Sequence, residues 1–431
     1  MFVRRRTVSV AALAAVAVTA GLSACSQAPT QAPGSTSTPA ASTASAAPAI
    51  HGYEFPGGMI EGASGGGQLY TRVEGLVALP STPGPHPVAV LIHGSYPSCL
   101  DVPNEKLFTP EVLTTPWPEG CGTERVSTDV GISRGPDYLR TPAGFAYLAN
   151  ALAEKGVAVM IPDVNTKERL DWGGEPDTLK LQSNIANTHL GLLEKLNSGD
   201  ALGLPWGADA KGAFDLSHVA LIGHSSGGGF VVDANQTQSI PNIKAVVAIE
   251  PGFQHVAERK GEPAPTLVIE GECDEQLSSE SVREGISEVA KANTAGVVLS
   301  AVVPHATHIG TLFGGGDNTV GLVQPPSTPG CKPDALLPKP VQRATMAQLT
   351  TDFITQTLAG NSTYTLNTAP GAKATAKAET SKTQVTVGVS EAATADVTPT
   401  SVQYSTSTHQ VLPAKPDSLV LFSKKTTVDD V

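Results

Sequence analysis

Short apolar runs alternate with longer amphipathic stretches between residues 70 and 360. The apolar runs are four to eight residues long and rich in β-branched side chains, as in VAVMIP at 157–162. Runs of this kind are typical of parallel strands that are buried on both faces. Helical spacing separates them, as in AGFAYLANALAEKG at 143–156, which ends on a helix-stopping glycine. The pattern predicts an α/β fold in which helices cover both faces of a mostly parallel central sheet.

Seven strands and five helices are predicted in this region. The predicted strands are residues 75–80, 87–94, 157–162, 218–225, 243–251, 265–273 and 297–303. The predicted helices are residues 143–156, 181–199, a glycine-led helix after residue 225, 278–293 and 341–360. Past residue 360 the composition shifts to Thr, Ser, Ala and Val, with the β-type runs QVTVGV, SVQYSTS and SLVLF. This extension, 361–431, is expected to add short strands to the domain or to form a loose tail.

The first 24 residues have the features of an export signal. Three arginines at positions 4–6 precede an apolar run that is too short to span a membrane comfortably. LSAC at 22–25 resembles a bacterial lipobox, which implies cleavage before Cys25 and a diacylglycerol on its thiol. An ordinary signal peptide with an incidental cysteine is the alternative, and the export route, Sec or Tat, stays open. Residues 25–50 then form an uncharged Ser/Thr/Ala/Pro-rich linker.

The charge of the chain argues against a nucleic-acid partner. Removing the signal removes three arginines and no acids, so 25 basic residues remain against 40 acidic ones, a net charge of −15. A chain this acidic, with no basic cluster, repels phosphate backbones.

Four cysteines remain after Cys25, namely Cys99, Cys121, Cys273 and Cys331. An even number in an exported chain favours two disulfides, for which three pairings exist. We favour Cys99–Cys121 as a local clamp. Cys273–Cys331 would be the second pair, because both residues lie just past predicted strand ends. Zinc binding by these four is not expected, since they contain no close C-x-x-C pair.

The run VALIGHSSGGGF at 219–230 leads a predicted strand directly into a G-x-S-x-G motif. A serine attacks only with a base in contact, an acid behind that base and donors for the oxyanion. A sharp strand-to-helix turn can present such a serine at the sheet edge, if the residues two before and two after are small. Ser225 has Gly223 and Gly227 at those positions, whereas Ser226 has His224 two before it. We therefore expect Ser225 to be the nucleophile and the Ser226 N–H to be the first oxyanion donor.

A second G-x-S-x-G match centres on Ser64, within GASGGGQ. No strand pattern leads into it, so we interpret it as a polar loop rather than a second nucleophile. The alternative for Ser225 itself is a glycine-rich helix start with an idle serine.

The stretch from about 70 to 360 resembles the α/β-hydrolase superfamily. Its closest likeness is to secreted bacterial esterases of the chlorophyllase, platelet-activating-factor acetylhydrolase and polyester-hydrolase-like branch. The resemblance implies a catalytic domain over 51–360, the chain order serine, acid, histidine, and acyl transfer without a cofactor or metal. It rests on LIHGS (91–95), YLANALAEKGVAVMIPDVN (147–165), FDLSHVALIGHSSGG (214–228), LVIEGECDEQ (267–276) and HATHIG (305–310).

The expected acid follows the strand that ends in GECDE. Asp274 occupies the position at which the family places its acid, and Glu272 and Glu275 are close competitors. Glu250, at the end of the preceding strand, occupies the position that some family members use instead. For each of these, a solvated loop carboxylate is the structural alternative.

Two histidines past the last predicted strand qualify as the base. His308, followed by Ile-Gly and then Phe313, fits the family pattern better than His305. A zinc site on this His-x-x-His pair is not expected, because the sequence offers no third ligand at suitable spacing.

The second oxyanion donor is expected in the loop after LIHG. The resemblance points to the N–H of Ser95, with Tyr96 as the next candidate and Gly94 permitting close approach. His93 and Asp163 are interpreted as residues that brace this loop.

Together these residues predict a serine esterase that is held outside the cytoplasm by its lipidated Cys25. Its expected partners are a small-molecule, lipid or polymer ester and the membrane under its anchor, and we expect a monomer. A peptidase or amidase that uses the same triad is one alternative. A hydrolase-fold binding lipoprotein without turnover is another.

Overall fold

The computed structural model describes residues 47–61, 68–95, 141–164, 178–253, 260–293, 296–312, 330–380, 386–391, 402, 404–409 and 419–421. Its strands are β1 (Ala49–Glu61), β2 (Gln68–Leu79), β3 (His86–Ile92), β4 (Ala158–Pro162), β5 (Phe214–His224), β6 (Ile243–Ile249), β7 (Thr266–Gly271), β8 (Val298–Val303), β9 (Thr363–Thr368), β10 (Thr375–Thr380), β11 (Thr386–Glu391), β12 (Tyr404–Thr406) and β13 (Leu419–Leu421). Its helices are α1 (Thr141–Gly144), α2 (Ala146–Glu154), α3 (Thr178–Ser198), α4 (Ser226–Thr237), α5 (Ser279–Ala292) and α6 (Lys339–Leu358). Among these helices, none is both long and apolar enough to cross a bilayer.

A central sheet of eleven described strands organises the protein. Its order is β10-β8-β7-β6-β5-β3-β4-β2-β1-β12, with β13 also paired to β1. The six strands from β8 to β4 in this order run parallel, whereas β10 pairs antiparallel with β8, β2 with β4 and β1 with β2. The carboxyl ends of the six parallel strands therefore meet at one edge, where α/β sheets place their ligands.

Two apolar layers bury the sheet. Successive residues of β3 contribute to opposite layers, because strand side chains alternate between faces. Helices α3, α4 and α5 cover the layer that contains Val88 and Val90. Helices α2 and α6 cover the layer that contains Ala89 and Leu91. The predicted fold, a mostly parallel sheet flanked by helices on both faces, is confirmed.

The seven predicted strands and five predicted helices are all present, and most ends differ by a few residues. The exceptions are β2, which begins at Gln68 rather than at residue 75, and the predicted helix 143–156, which is divided into α1 and α2. The sequence pattern missed β1, because its Pro56-Gly57 pair resembles a turn. The structure accommodates that pair as an irregularity in the β1–β2 register between Phe55 and Gly58.

Strands from beyond residue 360 cover both edges of the sheet. β10 pairs with β8 at one edge, and β12 and β13 pair with β1 at the other. β9 and β11 form a separate parallel pair, in which Tyr364 of β9 packs against Phe353 of α6. The three-residue strands β12 and β13 then form the edge beside β1, and very short edge strands limit pairing with another chain.

Candidate active site

Ser225 forms a sharp turn between β5 and α4. Its backbone has φ 57° and ψ −128°, a conformation that non-glycine residues rarely adopt. A side chain at Gly223 would collide with the carbonyl oxygen of Gly227, and one at Gly227 would collide with that of Ile92. The turn therefore requires glycine two positions before and two after Ser225. Ser226 begins the helix instead, so the strained conformation falls on Ser225 alone of the two serines.

The loop after β3 lies directly against this turn. A side chain at Gly94 would come within 2.5 Å of Ser225 Cβ, so glycine permits the close approach. The next residue, Ser95, has its Oγ 2.9 Å from Ser226 Oγ. The two expected oxyanion residues, which are 131 positions apart in the chain, thus lie side by side.

His93 holds this loop in place through two hydrogen bonds. Its Nδ1–H donates to the Gly94 carbonyl oxygen at 2.8 Å, and its Nε2 accepts the Val164 N–H at 2.9 Å. These two partners specify a neutral ring with the proton on Nδ1. Asp163 lies near the same ring, with 3.7 Å between Oδ1 and Nε2. His93 is fully buried, so its contacts link the β3 and β4 loops inside the protein.

His308 and Asp274 meet at the same edge of the sheet. His308 Nδ1 lies 2.8 Å from Asp274 Oδ2, and both side chains are buried. The other carboxylate oxygen, Oδ1, accepts the N–H groups of Gln276 and Leu277 at 2.8 and 2.7 Å. The carboxylate is therefore fixed by its own loop, and Nδ1–H donation to it leaves Nε2 of His308 as the acceptor.

His308 contacts His224, which is the residue before Ser225, so the imidazole lies near the serine turn. The ring centroids of His224 and His308 are 4.7 Å apart, and His224 Nε2 lies 3.2 Å from the His308 carbonyl oxygen. Among the described residues, no hydrogen bond joins Ser225 Oγ to His308. Such bonds are often long without substrate and shorten in the complex.

The other candidate acids contact different groups. Glu272 accepts the N–H of His305 at 3.3 Å, and Glu275 accepts backbone N–H groups of the His308 segment. Glu250 Oε2 lies 3.0 Å from His224 Nε2. Of the four carboxylates that the sequence left open, Asp274 is the one in contact with the imidazole of His308.

Glu250 and His224 form a buried, hydrogen-bonded pair behind the site. Burial raises the pKa of Glu250 well above its usual value, and the nearby charge of Asp274 raises it further. Burial lowers the pKa of His224 well below its usual value, and the neighbouring His308 lowers it further. Thr311 Oγ1 also donates to Glu250, at 3.0 Å. The pair can hold its hydrogen bonds without placing a net charge in the core.

Gln342 of α6 is a site residue that sequence reasoning missed. Its Oε1 accepts the N–H of Thr307 at 3.0 Å, and its Nε2 donates to the Thr307 carbonyl oxygen at 2.5 Å. Its side-chain amide therefore pairs with both backbone groups of Thr307, the residue before His308, as a neighbouring strand would. The sequence offers one local sign of this role, namely a polar residue on the buried face of a helix. That sign does not reveal that Gln342 binds Thr307.

Two groups of described side chains come close enough to share a metal ion. They are His224, Glu250 and His308, and Glu272, Cys273 and His305. In the first group, His224 and Glu250 already bond to each other and His308 bonds to Asp274. In the second group, Cys273 is bonded to Cys331 and offers no thiolate. We assign neither group as a metal site.

The disulfide Cys273–Cys331 is present, with a Cα–Cα distance of 5.4 Å. It ties residues 330–338 to the loop that carries Asp274. The N–H of Leu337 donates to the His305 carbonyl oxygen at 2.9 Å, so the same segment also contacts the histidine loop. The other expected residues, namely Cys25, Ser64, Tyr96, Cys99 and Cys121, lie outside the described residues.

The strand order and the serine turn at the carboxyl edge define the architecture. This is an α/β-hydrolase fold. No model of a known protein family matches the chain. No curated protein sequence matches it significantly either.

Two solved structures show a distant likeness of fold. A dienelactone hydrolase-like promiscuous phosphotriesterase from metagenomic libraries is 15% identical with a TM-score of 0.39, over 72% of this chain and 99% of that protein. A Klebsiella pneumoniae protein assigned as a dienelactone hydrolase is 16% identical with a TM-score of 0.33, over 60% of this chain and 88% of that protein.

Proposed function

We propose that the protein is a serine hydrolase that cleaves carboxylic esters through an acyl-enzyme. One observation carries the proposal. A buried histidine bonded to a carboxylate, His308 with Asp274, lies at the sheet edge where Ser225 adopts its strained turn. This combination matches the division of roles in a catalytic triad, in which the acid orients the base and the base activates the serine.

In the first step, His308 Nε2 accepts the Ser225 hydroxyl proton as Oγ attacks the ester carbonyl carbon. Asp274 holds the ring through Nδ1–H and stabilises the imidazolium that forms. The backbone N–H groups of Ser226 and Ser95 receive the oxyanion, a contribution of about 3–4 kcal/mol per donor in such sites. The imidazolium then gives its proton to the leaving alcohol, and the acyl group stays on Ser225.

In the second step, water replaces the alcohol. His308 takes a proton from the water as the water attacks the acyl carbon, and returns it to Ser225 Oγ as the carboxylic acid leaves. The same base, oxyanion donors and carboxylate serve both steps. The mechanism uses only side chains and amides of this chain.

The expected lipid anchor at Cys25 indicates where the enzyme would meet its substrate. We propose that the enzyme is exported, lipidated and held at the outer face of the cell membrane, where it meets environmental, lipid or polymer esters. The two long loops that we expect to rim the pocket, 97–142 and 311–340, lie largely outside the described residues.

Activity-based labelling tests the proposal directly. A fluorophosphonate probe should label the mature protein, and peptide mapping should place the adduct on Ser225. Ser225→Ala should abolish labelling and the hydrolysis of p-nitrophenyl esters. Ser64→Ala, which removes the serine of the other G-x-S-x-G match, is the matched control and should leave both unchanged. A folded native protein that neither reacts with the probe nor turns over esters would leave a binding lipoprotein as the better interpretation.

A further inference from the structure

Two adjacent carboxylates hold two different parts of His308. Asp274 contacts the ring at Nδ1, and Glu275 contacts the main chain. Both residues lie in the loop after β7, and the histidine is 33 and 34 positions away along the chain. The orientation of the imidazole therefore depends on one short acidic turn.

Glu275 acts as the cap of the turn that begins at His308. Residues Ile309–Thr311 form a 3-10 helix whose N-cap is His308, and the His308 side chain makes no cap hydrogen bond. An N-cap side chain normally accepts one of the exposed N–H groups of the first turn. The ring of His308 cannot do so, because it is bonded to Asp274. Glu275 Oε2 instead accepts the N–H of His308 at 2.7 Å, and Oε1 accepts that of Ile309 at 3.1 Å.

The charge of Glu275 suits this role. Burial raises its pKa, while the N–H groups of Ile309 and His308 act in the opposite direction by stabilising the carboxylate. An ionised acceptor makes stronger hydrogen bonds than a neutral one. The neighbouring His308 also favours the carboxylate electrostatically, so the carboxylate in turn favours the imidazolium that forms during attack.

The remaining main-chain groups of the segment are held by other elements. His224 Nε2 lies 3.2 Å from the His308 carbonyl oxygen, and Gln342 bonds both the N–H and the carbonyl oxygen of Thr307. Among the described residues, Glu275 is the side chain that accepts the two N–H groups at His308 and Ile309. Its loss leaves these two N–H groups without that acceptor, while the Cys273 N–H still bonds the Ala306 carbonyl oxygen and Asp274 still bonds the ring.

We propose that Glu275 is a positioning residue that fixes the backbone of His308 while Asp274 fixes its ring. This inference rests on the proposed function, because it takes His308 to be the catalytic base. Glu275 itself does not touch the reacting atoms. Its effect is to limit tilting of the ring, since a ring that is held only through Nδ1 can still tilt with its backbone, and Nε2 must face Ser225 during the reaction.

The test compares Glu275→Gln with Glu272→Gln in the full mature chain. Glutamine has the same size as glutamate, but it replaces one acceptor oxygen by an NH₂ group that faces a backbone N–H. Glu272 lies in the same loop and accepts a single, longer bond from the His305 N–H, so it is the matched control. With p-nitrophenyl butyrate, Glu275→Gln should lower kcat by roughly 10- to 100-fold at an unchanged KM, as lost orientation does. Glu272→Gln should stay within about twofold of the native kcat.

A second readout does not need turnover. The proton between His308 Nδ1 and Asp274 should give a far-downfield ¹H NMR signal in the native protein and in Glu272→Gln. In Glu275→Gln that signal should shift or broaden because the ring becomes mobile. Unchanged kcat and an unchanged signal in Glu275→Gln overturn the positioning role. Absent ester hydrolysis and absent probe labelling in the native protein overturn the proposed function instead, and the NMR comparison then still decides the positioning role.

If Glu275→Gln does not fold, Glu275→Asp is measured in the same way. It keeps the charge but withdraws the carboxylate by one methylene, so the two bonds cannot both be kept. A reduced kcat together with a broadened signal supports the proposal, and native values for both refute it.

Discussion

Ser95 Oγ and Ser226 Oγ lie 2.9 Å apart and join the two loops that meet at the serine turn. Each residue is also the proposed source of one oxyanion N–H. A bond between their hydroxyls ties the β3 loop to the start of α4, and so helps to set the distance between the two donors. Preorganised donors stabilise an oxyanion without a reorganisation cost during the reaction.

Because the two hydroxyls share one hydrogen bond, we expect the losses of kcat caused by their removal to be non-additive. Ser226→Ala and Ser95→Ala should each lower kcat by about 2- to 10-fold, the equivalent of one ordinary hydrogen bond. Since either substitution removes the same bond, the double variant should lose little more than each single one. The measurement is a double-mutant cycle on kcat with a p-nitrophenyl ester. Losses that multiply in the double variant would show that the hydroxyls act separately.

Asp274 and Glu250 should respond differently to amide substitution. Asp274→Asn disrupts the acceptor for His308 Nδ1–H and should lower kcat by on the order of 10³- to 10⁴-fold. Burial raises the pKa of Glu250 well above its usual value and so favours the uncharged acid, which Gln resembles, so Glu250→Gln should lower kcat by less than about tenfold. The measurement is kcat for both variants under identical conditions. A larger loss in Glu250→Gln than in Asp274→Asn would make Glu250 the catalytic acid.

His189 should make the protein less stable in mild acid. It is fully buried, and its Nδ1 is hydrogen-bonded to the Tyr53 hydroxyl at 2.6 Å. Burial lowers the pKa of His189 to about 4. Between pH 6.5 and about 4 the unfolded chain binds a proton here that the folded chain does not, so stability falls as pH falls. The difference reaches about 3 kcal/mol at the lower end.

The pH effect of His189 is isolated by His189→Gln, which retains an acceptor for Tyr53 but does not titrate. Urea unfolding at pH 7 and pH 4.5 measures the free energy of unfolding of both proteins. The native protein should lose more stability between these values than the variant does. Equal losses would mean that His189 does not contribute to the acid sensitivity.

The Cys273–Cys331 disulfide should stabilise both the fold and the acid loop. It bridges a sequence separation of 58 residues, for which the chain-entropy model gives about 4 kcal/mol. The double variant Cys273→Ala/Cys331→Ala should lose stability of that order in urea unfolding. Its kcat should also fall, because Asp274 follows Cys273 directly. Native kcat in the double variant would show that the loop keeps its geometry without the bridge.

The acid loop shows the limit of what the sequence predicts. GECDE places three carboxylates within four residues, Glu272, Asp274 and Glu275, and local pattern alone cannot separate them. In the structure Glu272 accepts the His305 N–H, Asp274 accepts the ring N–H of His308, and Glu275 accepts the main-chain N–H of His308. Each residue points in a different direction because the loop turns between them. Local hydrogen bonds hold that turn, but which group each carboxylate meets depends on the segment after β8, about 30 residues further along the chain.

The sequence by itself determined the alternation of strands and helices, the glycines around Ser225 and therefore the position of the strained turn. These features depend on side-chain periodicity and on sterics within a few residues, which are local properties of the chain. The tertiary structure alone decided that Asp274 rather than Glu250 meets His308, that Glu275 caps the histidine turn, and that strands from beyond residue 360 cover both sheet edges. Those contacts join segments that are far apart in the chain, so they exist only once the sheet has brought the loop ends together.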